Sequence, residues 1–301
     1  MSTTQEAIAR LEGAGTPTPP VKSSTLLARS LKLWRTRIGT LFVLLLVAIA
    51  IIGPYVAPHS PSDFVALPNT PPSADAVFGT DYLGQDVLSR FLHGGLELMV
   101  TAATSTALGL ILGIAIGLIA AYSRNALDDI LMRGMDVVMA FPQIMLVLLA
   151  VSLVGPQKWV VVASIVLTTA PRVARVARGA ALPVIERDFV AAMETMGQSR
   201  TRIMTGELLP NILGPMMVEA SLRLTYSIGT IAALAFLGLT SDPNAPNWGT
   251  MIQQNRIALS FQPWGALLPI IAIALLTLGT GLIGDGIART AAGIDRKRDN
   301  G

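Results

Sequence analysis

The apolar positions of this chain gather into long runs. Ile38–Ala57, Leu98–Tyr122, Val137–Gln157, Leu224–Ser241 and Ile257–Gly284 contain no Asp, Glu, Lys or Arg. A helix needs about 20 mostly apolar residues to cross a bilayer, and each run is near that length. A further run, Trp159–Pro171, is shorter. It spans only if Arg172 and Arg175 carry their charged heads to the interface. The pattern predicts an all-α polytopic membrane protein with six transmembrane helices.

Two polar stretches interrupt the runs. The first, APHSPSDFVALPNTPPSADAVFGTDYLGQDVLSRFLHGG, opens rich in Pro and Ser and is expected to be irregular there. Further on, Leu83, Val87 and Phe91 recur every four residues, with Asp81, Gln85, Ser89 and Arg90 on the other side. That predicts a short amphipathic helix. It either lies on the bilayer surface or forms a gate or docking surface for an external partner.

The second is DFVAAMETMGQSRTRIMTGELLPN, Asp188 to Asn211. Phe189, Met193 and Met196 make one apolar stripe of a helix. Gly197 offers the left-handed conformation that ends helices. Ser199 is placed to cap a second helix, on which Ile203, Met204, Glu207 and Leu208 share a face. Pro210 is expected to close it. Such a helix–glycine–helix unit is either an interfacial loop touching anionic lipid or an element that fits a cleft in a soluble partner.

Composition agrees with the runs. The chain is 52% hydrophobic and only 14% charged, with a mean hydropathy of +0.59. Soluble domains are closer to a quarter charged. With no cysteine, neither a disulfide framework nor a thiolate site is available. The residues before Ile38 are too long and mixed for a cleaved signal peptide, so the first span is expected to stay as an anchor. Most of the 22 Lys and Arg fall in the N-terminal tail, in the loops after the second and fourth spans, and at the C-terminus. The positive-inside rule then puts both termini and the 188–211 segment in the cytoplasm. Net charge +3 and pI near 9.5 therefore reflect topology. Basic residues spread over four juxtamembrane segments, not gathered on one face, argue against a nucleic-acid role.

Little in the chain suggests chemistry. No lysine follows glycine, so no phosphate-binding P-loop exists. His59 and His93 lack a second histidine at ligand spacing, and no metal site is expected. Pro142, in AFPQ, predicts a kink in the third span. Glu219 and Arg223 are four apart near the start of the fifth span, with Tyr226 one turn further. They form either an intrahelical ion pair or a pathway-lining gate. Asn247 and Trp248 lie in a turn-rich external stretch, SDPNAPNWGTMIQQ. Asp285 is expected to cap the last span or fix the tail.

The 188–211 segment resembles the EAA loop of ABC importer permeases, whose pattern is Glu-Ala-Ala, three residues, Gly, nine residues, then Ile-x-Leu-Pro. Ala192, Gly197, Leu209, Pro210 and the trailing Asn211 match; Ala191, Met193 and Glu207 depart. The stretch FGTDYLGQDVLSRFLHGG is similar to the external motif of the dipeptide/oligopeptide/nickel permeases, with Gln85 where that family usually has arginine. LDDILMRGMDVVMAFP, PRVARVARG, LAFLGL, NWGTMI and GLIGDGIARTAAGID follow in the family's order, and the resemblance covers roughly residues 33–295. It is to the C-type second permease subunit.

The resemblance implies a type I ABC importer permease (MetI-like) fold in a bacterial or archaeal cell (inner) membrane. It implies a tail at 1–37, a first span and external loop at 38–95, and a five-helix core at 96–290 holding the coupling loop 186–211. A second tail covers 291–301. It implies partners: a homologous permease forming a heterodimer, two ABC ATPase subunits and an extracytoplasmic binding protein. ATP and Mg would sit on the ATPases, and no cofactor on this non-catalytic chain. ATPase coupling would fall to Ala191, Ala192, Met193, Gly197, Ser199, Glu207, Leu209, Pro210 and Asn211. Pro142, Glu219, Arg223 and Tyr226 would line the pathway or gate. Asp81, Gln85, Asp86, Arg90, Asn247 and Trp248 would meet the binding protein. The implied cargo is di- or oligopeptide, with glutathione, chelated nickel or another small solute as alternatives. A stand-alone secondary transporter is the reading from a different class.

Overall fold

The computed structural model describes residues 28–123, 125–242 and 244–292. The early tail and the last residues, with Arg10, Lys22, Arg124, Arg296, Lys297 and Arg298, lie outside them. Among the described residues the fold is carried by α1 (Trp34–Val56), α2 (Val87–Ser123), α3 (Ala126–Met139), α4 (Gln143–Val154), α5 (Lys158–Ile185), α6 (Asp188–Thr195), α7 (Arg200–Ile203), α8 (Leu209–Phe236), α9 (Trp248–Asn255) and α10 (Trp264–Ala291). A π-helical turn, Met204–Leu208, joins α7 to α8. Only isolated β-bridges occur among these residues.

Four of the helices, α1, α2, α5 and α10, are long and apolar enough to cross a membrane. A fifth span exists if α3 and α4, bent by 79° at their break, count as one. The expected fifth span, Leu224–Ser241, falls largely in α8. That helix is 28 residues long, but Glu219, Arg223 and its hydroxyl residues lower its hydropathy. The break between α3 and α4 is Pro142. Proline lacks the N–H the helix needs and pushes the residue before it out of helical conformation. The expected kink is thus a full interruption, with Pro142 capping α4.

The α2–α5 pair is the most extensive contact in the bundle. Its cause is a glycine at every fourth position of α2 from 109 to 117. A Cβ on Gly109 would stand 2.9 Å from Thr169 Cγ2. On Gly113 it would stand 2.5 Å from Val173 Cβ, and on Gly117 2.5 Å from the Ala174 carbonyl oxygen. Small residues let membrane helices approach until their backbones touch. A second such crossing joins α1 to α10, where Gly39 and Gly279 meet.

The expected fourth span lies in α5, which continues past Arg172 to Ile185. α3 supplies carboxylates to two of its arginines. Arg178 makes two bonds to Asp128, both 2.6 Å, and Arg175 pairs with Asp136.

The expected amphipathic helix is corrected. Residues 81–86 form a turn, and α2 then runs unbroken from Val87, so the 95/96 domain boundary falls inside a helix. The polar side faces in. Arg90 and Asp81 form a 3.3 Å ion pair, side chains 1% and 0% exposed. Asp86 Oδ2 caps α2, accepting from Ser89 N at 2.9 Å and Ser89 Oγ at 2.6 Å, while Leu83 is exposed. Burial pushes the Asp81 carboxyl above its usual range, opposed by the Gln85 and Leu83 N–H groups and by Arg90. The loop docks on the rest through Gln262 Nε2, which donates to the Phe78 carbonyl at 2.7 Å. Trp248 is fully buried, stacks on Phe91, and donates its indole N–H to the Phe91 carbonyl at 2.9 Å.

Two expectations follow. Gly113→Val should prevent recovery of a monodisperse protein in detergent, whereas Gly134→Ala, with open space around it, should be tolerated and stabilise by up to about 1 kcal/mol. Arg90→Met should lower stability by about 3–5 kcal/mol by stranding a buried carboxylate. Adding Asp81→Asn should recover part of that loss, read as thermal unfolding midpoints in detergent.

Candidate functional site

The 188–211 segment folds as two short helices around a glycine corner. Asp188 sits in the first turn of α6, where a negative charge suits the helix N-terminus. Val190 is 1% exposed and locks α6 into a cluster with Leu118, Val184, Ile203, Leu208 and Ile212. Phe189 and Met193 pack against that cluster. Met196, expected on the same stripe, is 71% exposed instead, because the helix ends before completing the turn that would bring it inward.

The ending is a Schellman motif. Gly197 N–H donates to the Glu194 carbonyl at 3.0 Å, and Gln198 N–H to the Met193 carbonyl at 3.1 Å. Gly197 has φ +73°, and a Cβ there would meet nothing within 4 Å. Conformation, not space, calls for glycine. Ser199 then caps α7 by accepting from Arg202 N.

Pro210 does not close the second helix. The chain passes through the π-turn straight into α8, with Pro210 in the first turn, where a missing N–H is tolerated. Leu209 N–H reaches back to the Met204 carbonyl, and Asn211 Nδ2 donates to the Glu207 carbonyl at 2.7 Å. Ala191, Ala192, Gly197, Ser199 and Pro210 are exposed, while Met193, Glu207, Leu209 and Asn211 are half-buried.

One link to α2 was not legible in the sequence. Tyr122 OH donates to Glu194 Oε1 at 2.5 Å, and the Arg200 guanidinium lies 5.8 Å over the Tyr122 ring. The three join the end of α2 to both sides of the glycine corner. Nothing in the spacing of residues 122, 194 and 200 signals the contact, because it depends on how the segment folds back.

A second polar group lies along α5 and α8. Glu219 and Arg223 form a 2.7 Å ion pair, largely buried, and Arg223 lies 5.3 Å over the Tyr226 ring. Tyr226 itself is exposed. Pro142 lies apart from them in sequence, but the adjoining Gln143 donates to Thr230 of α8 at 3.4 Å and accepts from Arg172 at 3.1 Å.

The residues expected to meet a binding protein stand differently. Asp81, Asp86, Arg90, Asn247 and Trp248 are buried, and Gln85 is half-buried, accepting from Arg90. They brace the 58–86 loop against α9, which corrects the expectation that they face outward. Among the described residues no cluster of His, Asp or Glu could hold a metal.

Comparison with known proteins agrees with this geometry. Residues 113–292 match the family described as binding-protein-dependent transport system inner membrane component. The chain is 37% identical to the di/tripeptide transport system permease protein DppC of Pseudomonas aeruginosa, over 83% of this chain and 84% of that one. It is 34% identical to the glutathione transport system permease protein GsiD of Pectobacterium atrosepticum, over 82% and 83%. Its fold is similar to a chain in inward-facing structures of the MetNI methionine ABC transporter. That match has a TM-score of 0.52 at 19% identity and covers 67% of this chain and 95% of that chain. The fold is therefore the MetI-like one of type I ABC importers, and the chain belongs to the binding-protein-dependent transport system inner membrane component family.

Proposed function

We propose that this multi-pass membrane chain, itself no enzyme, is one of two related permeases of an ABC importer for di- or oligopeptides. The observation that carries the reading is the helix–Gly197–helix segment, folded as a protruding unit and joined to α2, α5 and α8. Identity to peptide permeases across most of the chain supports the cargo. The glutathione relative favours a second cargo, itself a modified tripeptide. Charge distribution supports cytoplasmic termini and a cytoplasmic side for α6 and α7.

In this reading two ATPases with bound ATP and Mg grip the exposed rim of α6–α7 on each permease. Their closure draws the segments together. Tyr122 and Arg200 hand the movement to α2, while the unbroken path through the π-turn hands it to α8. A rocking of α5 and α8 against the partner permease then opens the pathway outward, an exchange between two states that ATP and cargo stabilise unequally. Glu219, Arg223 and Tyr226 line that pathway, and the break at Pro142 lets α4 bend around it. A binding protein delivers the cargo at the opposite end, touching exposed residues of the 58–86 loop such as Phe64, Leu67 and Leu83.

Co-purification with a Walker-motif ATPase tests the assignment; failure to assemble with any ATPase sinks it. Gly197→Val should insert normally but lose uptake and weaken ATPase docking, since a β-branched residue at positive φ costs more than about 1–2 kcal/mol. Tyr122→Phe removes one hydroxyl and should leave assembly intact. Reconstituted vesicles should then hydrolyse ATP at near the wild-type rate while importing several-fold less peptide per ATP. Unchanged stoichiometry would show that Tyr122 transmits nothing.

A further inference from the structure

Among the described residues, three of the four arginines on α5 and α8 are paired with a carboxylate. Arg175 pairs with Asp136, Arg178 with Asp128, and Arg223 with Glu219. Arg172 bonds only to neutral acceptors, Gln143 Oε1 at 3.1 Å and the Thr168 carbonyl at 2.8 Å. No carboxylate comes within 4.0 Å of it among the described residues. It lies near the middle of the 28-residue α5 and is half-buried.

Gln143 links Arg172 to Thr230 of α8, the helix on which Arg223 pairs with Glu219 and lies over Tyr226. Two guanidiniums against one carboxylate leave the group with an excess of positive charge. An uncompensated arginine on a helix apolar enough to cross a membrane is expensive against lipid, which favours its facing a cavity or a partner. The surrounding side chains agree: Tyr226 is exposed, and Gln143 and Thr230 are half-buried and bonded to each other.

The geometry of the guanidinium is suited to an anion. Both of its bonds leave from Nη1. Nε and Nη2 remain free to meet a carboxylate side-on, as arginine does in bidentate pairs. Gln143 and Thr168 fix the plane of the group, so little ordering remains to be done when a ligand arrives. We propose that Arg172 is an anion subsite on the transport pathway that receives the carboxylate of a passing peptide. The inference rests on the pathway reading above. A half-exposed site of this kind binds weakly, which passage requires, since an ion or solute must also leave.

The test uses the complete importer in proteoliposomes, with its binding protein and ATPases. Uptake is measured for a dipeptide and for the same dipeptide as its C-terminal amide, with loading of the binding protein measured for both. Arg172→Met should cut uptake of the acid about tenfold, the size of one lost charged hydrogen bond. It should barely change uptake of the amide, so the acid-to-amide ratio falls. Arg172→Lys should keep part of the ratio. Equal loss for acid and amide, or an unchanged ratio, would mean that Arg172 only tethers α4 and would overturn the proposal. If Arg172→Met does not assemble, Arg172→Gln is read by the same ratio. The pathway reading is checked separately. The chain has no native cysteine, so Tyr226→Cys offers one thiol to a membrane-impermeant maleimide. No labelling in any nucleotide state contradicts the pathway itself, whereas labelling with an unchanged ratio contradicts only the anion subsite.

Discussion

Direct backbone contact between α2 and α5 is the constraint on which the rest of this molecule depends. In a membrane the hydrophobic effect does not drive helices together, so association relies on close packing and polar contacts. Gly109, Gly113 and Gly117 remove the side chains that would hold α2 away from Thr169, Val173 and Ala174. The contact fixes α5 along its length. It thereby fixes Arg172, Arg175 and Arg178, which in turn hold the broken α3–α4 unit through Gln143, Asp136 and Asp128.

The same contact places the two ends of the bundle. At one end α5 leads into α6, and Tyr122 at the end of α2 reaches Glu194 and Arg200. At the other, α2 begins with the Asp86 cap and the Asp81–Arg90 pair, and it receives Trp248 against Gly94 and Gly95. A displacement of α6–α7 therefore has short, stiff routes into the bundle. The polar surface along α5 and α8 lies between these ends.

The sequence made some of this legible and hid the rest for physical reasons. Long apolar runs and the Gly197 corner follow from local rules, namely the bilayer's thickness and the positive φ that glycine takes. Local rules also located the break at Pro142, though not its size. Arg172 and Arg175 were hard to place, because a charge near a span's end invites snorkelling and their partners, Gln143 on α4 and Asp136 on α3, are remote in sequence. The periodicity at Leu83, Val87 and Phe91 misled for a related reason. In a loop folded onto its own bundle, the ionic side can be the buried one, provided Asp81 and Arg90 find each other. Met196 and Pro210 show the limit of helix-end rules: one residue past a helix's end faces solvent, and a proline in a first turn begins a helix instead of closing one.

In the proposed function, α6 and α7 form the surface on which an ATPase acts. Ala191 is exposed on α6, and the chain has no native cysteine. Ala191→Cys, assembled with partner ATPases bearing single cysteines in their membrane-facing cleft, can be tested for crosslinking with and without ATP. The expected result is a crosslink to the ATPase whose yield changes when ATP binds. No crosslink to any ATPase position in either state, from an assembled and transport-competent complex, would contradict the account.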